Sequence, residues 1–263
     1  MSREEIRNKI INYFKQQLSV MKIDENRIQM SFIVNIFQED LKNIATYKQE
    51  EVFHISREII NELININALY PGAYGQNTGN DFYPWLTITE YGKELFSKDD
   101  SLPYDPEGYL KVLKEKIPEI DDITLIYIGE AIAAFNRRNL LSATITLGVA
   151  SENLMLILID IYINWLKDAK RKNRLTKNIT DKYIYTRYKE FKKEFILDVK
   201  ILPKKLQDNW ETYLDGVFNF IRLNRNSAGH PTGKQLNTKI VYANLQIFAD
   251  YARYIFNLVN YFH

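Results

Sequence analysis

The sequence predicts a mainly α-helical protein in two parts, a small N-terminal domain carrying one β-hairpin and a larger C-terminal helical bundle. Apolar residues recur every three or four positions through most of the 263 residues, the spacing of amphipathic helices. That period breaks in two places. Between Ala68 and Thr89 the chain holds Pro71-Gly72 as a turn and Gly75-Gln76-Asn77-Thr78-Gly79-Asn80 as a loop tip, followed by a strand-like run from Phe82, which together read as a hairpin. Finally, Lys98 to Pro106 is charged, contains two prolines and has no periodicity, so it marks the domain boundary. The expected division is a domain over 1–98, a linker with a short helix over 99–120, and a bundle over 121–263.

In the N-terminal part, Ser2 to Leu18 places Ile6, Ile10, Tyr13, Phe14 and Leu18 on one helical side. Helices continue from Gln29 to Leu63 through Phe32, Ile33, Ile36, Phe37, Leu41 and Ile44, then Val52, Ile55, Ile59 and Leu63. Pro84 near the start of the following strand suits an edge position. The order of helices, long-tipped hairpin and Thr89-Glu90-Tyr91-Gly92-Lys93-Glu94-Leu95 resembles a winged helix-turn-helix domain. Its candidate recognition helix, Lys48 to Leu63, holds Glu50, Glu51, Glu58 and Glu62 against Lys48 and Arg57. Phosphates select for Lys and Arg, so a positioning, dimerising or partner-binding role is expected ahead of sequence-specific DNA recognition. His54 and Arg57 fit either base contacts or a solvated face.

Beyond the linker, Asp105-Pro106 suits the cap and first position of a short helix ending near Pro118. Ile123 to Arg138 is the next helix. Ser142 to Leu166 is apolar nearly all round, which marks it as central. Its polar stripe is Asn153, Asp160 and Asn164. Glu152 lies about 100° off that stripe, among Gly148, Val149, Met155, Leu156 and Ile159, where the pattern does not explain a charge. From Lys167 to Lys205 there are 14 Lys and Arg against 5 Asp and Glu, which leaves −7 for the rest of a chain whose net charge is +2. Such separation suggests a polyanion-facing surface, with Lys170, Arg171, Lys172, Arg174 and Lys177 as the RNA-binding candidates; a solvated helical hairpin fits the same count. Tyr183, Tyr185, Tyr188, Phe191 and Phe195 are interleaved with these cations, as in single-strand binders. The spacing of Ile184, Tyr188, Phe191 and Phe195 is equally that of a core stripe. Thr238 to Phe262 closes the bundle.

The organising stretch is Arg222 to Gly233. Trp210, Leu214, Val217 and Ile221 form an apolar stripe whose next position is Arg225. Charged groups are seldom buried unpaired, so Arg225 should face a partner or a cleft. On an unbroken helix His230 would lie about 140° away from it, and the two converge only if the helix stops between them. Gly229 can take the left-handed conformation that ends helices, and Pro231 pushes His230 out of the helical region. Glu152 and Arg225, two unexplained charges of opposite sign in one domain, are expected to pair, with Glu152 orienting Arg225; a Glu152 hydrated at the open edge of its helix is the alternative.

Arg225-Asn226-Ser227-Ala228-Gly229-His230-Pro231 resembles the signature of the HEPN superfamily: an arginine, a polar residue directly after it, and a histidine a few positions on. Glu130-Ala131-Ile132-Ala133-Ala134-Phe135 and Leu147-Gly148-Val149-Ala150-Ser151-Glu152 carry further resemblance, so it covers about half the chain. It implies a HEPN-like helical bundle and metal-independent endonucleolytic cleavage of RNA, with Arg225, Asn226 and His230 as catalytic residues, Glu152 and Gly229 in support, and no cofactor or metal. It also implies a homodimer, in which two motifs meet across a symmetric cleft. Toxin activity or phage defence is the family-level expectation. The chemistry suits these residues: imidazole changes protonation near neutral pH, and a guanidinium fork holds a phosphate.

Two other classes stay open. One is a non-catalytic RNA- or protein-binding HEPN module. The other is a DNA-binding regulator acting through the N-terminal domain, which also leaves room for a protein partner or weak DNA contact there. The chain has no cysteine, which removes disulfides, thiolate zinc sites and cysteine nucleophiles. Its three histidines, His54, His230 and His263, are too scattered for a metal cluster. Met1 leads straight into a charged helix with no signal peptide, and the apolar run from Leu154 to Leu166 is too short for a bilayer. A cytoplasmic protein without membrane contact is expected.

Overall fold

Stripes of apolar residues every three or four positions become the buried faces of helices over most of the chain. The computed structural model describes residues 1–20, 27–42, 44–72, 85–97, 106–231 and 236–263, with only the backbone described at Arg27 and Glu107. The protein is mainly helical with one small sheet. It divides into two compact units, Met1–Glu107 and Gly108–His263.

In the first unit, α1 (Arg3–Val20), α2 (Phe32–Leu41) and α3 (Thr46–Asn65) bury Ile6, Ile10, Phe14, Phe32, Phe37, Ile59 and Leu63. Phe14 stacks on Phe96 of α4 (Glu90–Ser97) with ring centroids 4.8 Å apart. Arg3 and Arg7 of α1 reach across to Glu58 and Glu62 of α3 at 2.5–2.6 Å. Three short antiparallel strands, β1 (Arg27–Gln29), β2 (Leu69–Pro71) and β3 (Trp85–Ile88), run in the order β1-β3-β2. Ile28 stands opposite Leu86, and Tyr70 opposite Thr87. The strand β1 is absent from the sequence reading; three residues with one apolar side chain give no alternation to detect. The loop tip at 75–80 and Pro84 lie outside the described residues.

The Thr89 to Leu95 segment has a local physical explanation. The Thr89 hydroxyl accepts from the Gly92 amide at 2.8 Å, capping α4, and donates to the Asn67 carbonyl at 2.6 Å. A Cβ on Gly92 would lie 2.1 Å from the Ala68 carbonyl oxygen. Backbone cannot yield there, so only glycine fits.

The second unit is a bundle around α7 (Leu140–Trp165), which packs against α6 (Asp122–Asn136), α11 (Phe218–Gly229) and α12 (Thr238–Phe262). The short helix α5 (Pro106–Lys116) begins on its proline and belongs with this unit: the buried Tyr109 hydroxyl donates to the Leu245 carbonyl of α12 at 2.6 Å. Asp105 is outside the described residues. Between α7 and α11 come α8 (Ala169–Ile179), α9 (Ile184–Asp198), a 3-10 turn, the single-turn α10 (Lys204–Gln207) and a wide π-type stretch at Glu211–Val217. That π-type stretch replaces the regular α-helix expected before Arg225, yet Leu214, Val217 and Ile221 are still buried. Among the described residues α7 is the one helix long and apolar enough to cross a bilayer, at 26 residues and mean hydropathy 1.6, and 56% of its apolar window is buried within the protein. The expectation that the apolar run is too short is thus corrected: the helix begins at Leu140, and its apolar character serves the core of the bundle.

Candidate functional site

Arg225 lies two-thirds of the way along α11, where that helix crosses α7. Its approach depends on Gly148 of α7. A Cβ there would stand 2.3 Å from Arg225 Cγ and 2.5 Å from its Cβ, so the arginine stem occupies the space that any larger residue would fill. The guanidinium then reaches Glu152, one turn further along α7, with Nη2 3.8 Å from Oε2. That is an ion-pair separation longer than a hydrogen bond. Nη1 donates to Asn226 Oδ1 at 3.2 Å. A guanidinium has five donors; described residues accept from one of them, and the side chain is 37% exposed. The remaining donors have no hydrogen-bond acceptor among the described residues.

Glu152 is the more buried partner, 14% exposed. Burial raises its carboxyl above the ordinary glutamate value, while Arg225 and then Arg222 pull it down by less. Its Oε1, and the Nδ2 of Asn224, which precedes Arg225 in the chain, are buried without a hydrogen-bond partner among the described residues. The residue next to Glu152 is anchored on α6. Asn153 donates to Asp121 Oδ1 and Thr124 Oγ1, both at 2.9 Å, and Asp121 in turn caps α6 by accepting from the Thr124 amide. The Tyr251 hydroxyl of α12 donates to the Ser151 carbonyl at 3.1 Å behind them.

The helix break falls one residue later than the sequence implies. Gly229 is the last residue of α11 and keeps a negative φ, while His230 is extended at φ −102° and ψ 141°. Pro231 alone explains this, since it excludes the residue before it from the helical region. The expected left-handed Gly229 is therefore corrected. An added Cβ on it would meet nothing within 4 Å. His230 is exposed and makes no hydrogen bond or ion pair with another described residue. Thr232 and Gly233 are outside the described residues.

The five basic candidates separate. Arg171 is locked: Nε donates to Glu194 Oε2 at 3.0 Å, Nη1 and Nη2 to Asp198 at 3.1 and 2.8 Å, and Nη2 to the Tyr162 hydroxyl at 3.1 Å. Arg174 also bonds Glu194. Lys170 and Lys177 are exposed, and Lys172 is half-buried. The aromatic residues separate in the same way. Tyr188, Phe191 and Phe195 are core, whereas Tyr183 and Tyr185 are exposed. In the first unit, His54 is exposed and lies 3.3 Å from Glu58.

Sequence reasoning passed over Arg222. It sits three residues before Arg225 on the same helix face, with its guanidinium 4.0 Å from the centroid of the Tyr185 ring, and that i, i+3 spacing was the signal for it. Among the described residues no group of three or more His, Asp or Glu side chains is placed to hold a metal ion. Comparisons with protein families, with curated proteins and with solved structures return no match.

Proposed function

We propose that the second unit is a HEPN-like endoribonuclease domain cleaving RNA without a metal, at a site completed by a second copy of the chain. The observation that carries this reading is the Arg225 guanidinium, placed on Gly148 and angled by Glu152 and Asn226 with donors left over, on the helix end from which His230 emerges into solvent. Arg225 would hold the scissile phosphate and stabilise charge growing on its oxygens. One imidazole would take the proton from a ribose 2′-hydroxyl as that oxygen attacks phosphorus. A second would protonate the departing 5′-oxygen, leaving a 2′,3′-cyclic phosphate and a 5′-hydroxyl. One chain supplies one such imidazole, so the reading requires a two-fold dimer. The first unit is read as winged helix-turn-helix-like, with a positioning or partner-binding role; Glu58 and Glu62 of α3 are engaged by α1. A toxin or phage-defence effector acting in the cytoplasm is the setting that fits.

The test is incubation of the purified full-length protein with labelled RNA in excess EDTA, together with light scattering for oligomeric state. Cleavage that disappears in His230→Ala while a wild-type dimer persists supports the enzyme. Cleavage retained in His230→Ala, or equal cleavage by a monomer, overturns it. Binding without cleavage by wild type would leave a non-catalytic RNA-binding module.

A further inference from the structure

Four of the ten Lys and Arg of the basic hairpin, residues 169–198, are matched to carboxylates: Arg171 and Arg174 meet Glu194, Lys192 meets Asp215, and Lys193 meets Glu190 at 2.5 Å. At one corner two cations gather on an aromatic ring instead. Arg222 of α11 lies over the Tyr185 ring of α9 at 4.0 Å, and Lys189 approaches that same ring at 4.8 Å. Neither cation has a described carboxylate within ion-pair range; among the described residues the Arg222 guanidinium donates only to Asn219 Oδ1, at 3.4 Å. Two like charges gathered on one ring repel each other, and an aromatic quadrupole offsets this only in part. Arg222 also acts on Glu152, which already faces Arg225. Two cations thus share one carboxylate along one face of α11, with Lys189 of α9 beside the first of them. From residue 222 to residue 229 that face runs about 10 Å at 1.5 Å per residue.

At the start of the same helix, two residues before Tyr185, Tyr183 is 90% exposed in the N-cap position. A ring so exposed contributes nothing to the core and presents a face to solvent. Unpaired cations beside an open aromatic ring are the chemistry that holds unstacked nucleotides, through phosphate attraction and base stacking. Resting on the RNA-directed reading of the Arg225 site, we infer that Tyr183, Tyr185, Lys189 and Arg222 form a subsite for nucleotides of single-stranded RNA flanking the phosphate held by Arg225. In it Arg222 and Lys189 bind backbone phosphate, Tyr185 fixes Arg222 in place, and Tyr183 stacks on a base.

The experiment measures binding of short fluorescein-labelled oligouridylate and oligoadenylate to the full-length protein carrying His230→Ala, by anisotropy across a salt series. Tyr183→Ala and Lys189→Gln both alter exposed side chains and should leave the melting temperature unchanged. Tyr183→Ala is expected to weaken binding about fivefold or more. Lys189→Gln and Arg222→Gln should each weaken it and lower the salt slope by about one. Lys193→Gln, whose ammonium is already matched to Glu190, should bind as the parent does. Unchanged affinity and slope in Tyr183→Ala and Lys189→Gln would overturn the subsite, as would equal affinity for an RNA duplex or no RNA binding at all. Cleavage by wild type is scored separately: RNA bound through this corner but never cut would remove the nuclease reading and keep the subsite, while cleavage with unchanged variants would do the reverse.

Discussion

Two arginine–carboxylate clusters stand in the same bundle and are built to opposite specifications. At the α7–α8–α9 junction, Arg171 uses Nε and both terminal nitrogens on Glu194, Asp198 and Tyr162, and the two carboxylates are 8% and 12% exposed. Hydrogen bonding to Asp198 drives the guanidinium further towards its charged form, and burial with Asp198 beside it pushes the Tyr162 hydroxyl up. At the α7–α11 crossing, Arg225 touches Glu152 at 3.8 Å, spends one donor on Asn226, and leaves one Glu152 oxygen without a partner among described residues. The first cluster is closed and the second is open. Satisfied buried networks hold structure together, and an under-satisfied one calls for an explanation. The contrast agrees with the proposal that places chemistry at Arg225 and architecture at Arg171.

The largest effect should come from opening the closed cluster. Glu194→Ala strips Arg171 and Arg174 of a shared partner and leaves a half-buried guanidinium short of bonds. A loss of about 3–5 kcal/mol is expected, read by urea or thermal unfolding; a loss below 1 kcal/mol would mean the network is not structural. Gly148→Ala comes next. Its methyl must push against Arg225 Cβ as well as the flexible stem, so α7 and α11 separate. Overpacking costs about 1–3 kcal/mol, against a helix-propensity gain of at most about 1 kcal/mol. The expected outcome is a modest fall in melting temperature with loss of RNA cleavage, and full activity in this variant would show that Arg225 is not held where the site needs it.

The pH dependence of Glu152 sharpens the comparison further. Because its carboxyl is raised, the folded chain binds that proton more tightly than the unfolded chain does. This contribution to stability is lost as pH climbs from the ordinary glutamate range through the raised folded value. Glu152→Gln cannot ionise, so it should melt higher than wild type at neutral pH, with the gap closing in acid. A variant that melts lower at pH 7 would place Glu152 with Glu194 as a stabilising ion. The smallest effect belongs to His230→Ala. An exposed side chain with no described partner should change stability by less than about 0.5 kcal/mol, whatever it does to cleavage.

Both clusters were open to the same inference, yet the sequence yielded only one. Arg225 and Glu152 stand out as charges inside apolar stripes. Glu194 and Asp198 do so too, four apart on the helix whose stripe is Tyr188, Phe191 and Phe195, and matching them to Arg171 and Arg174 would have withdrawn those arginines from a nucleic-acid face. A run of basic residues reads alike whether or not carboxylates 20 residues on face it; that is a matter of tertiary placement. The long helices were legible because their periodicity extends over many turns. The strand β1 was not, because three residues leave no alternation, and the π-type stretch before α11 was not, because its wider winding keeps the same apolar stripe as an α-helix. The break at His230 was legible from Pro231, and the expected role of Gly229 was surplus to it.

Asn153 has a consequence for how the open cluster can behave. By gripping the cap of α6 it works as a key in a shaft, fixing the rotation of α7 about its own axis. Glu152 is the adjacent residue, so turning that helix to swing it away from Arg225 would also break both Asn153 bonds. At the proposed site, any adjustment then falls to the Arg225 side chain and to the exposed His230.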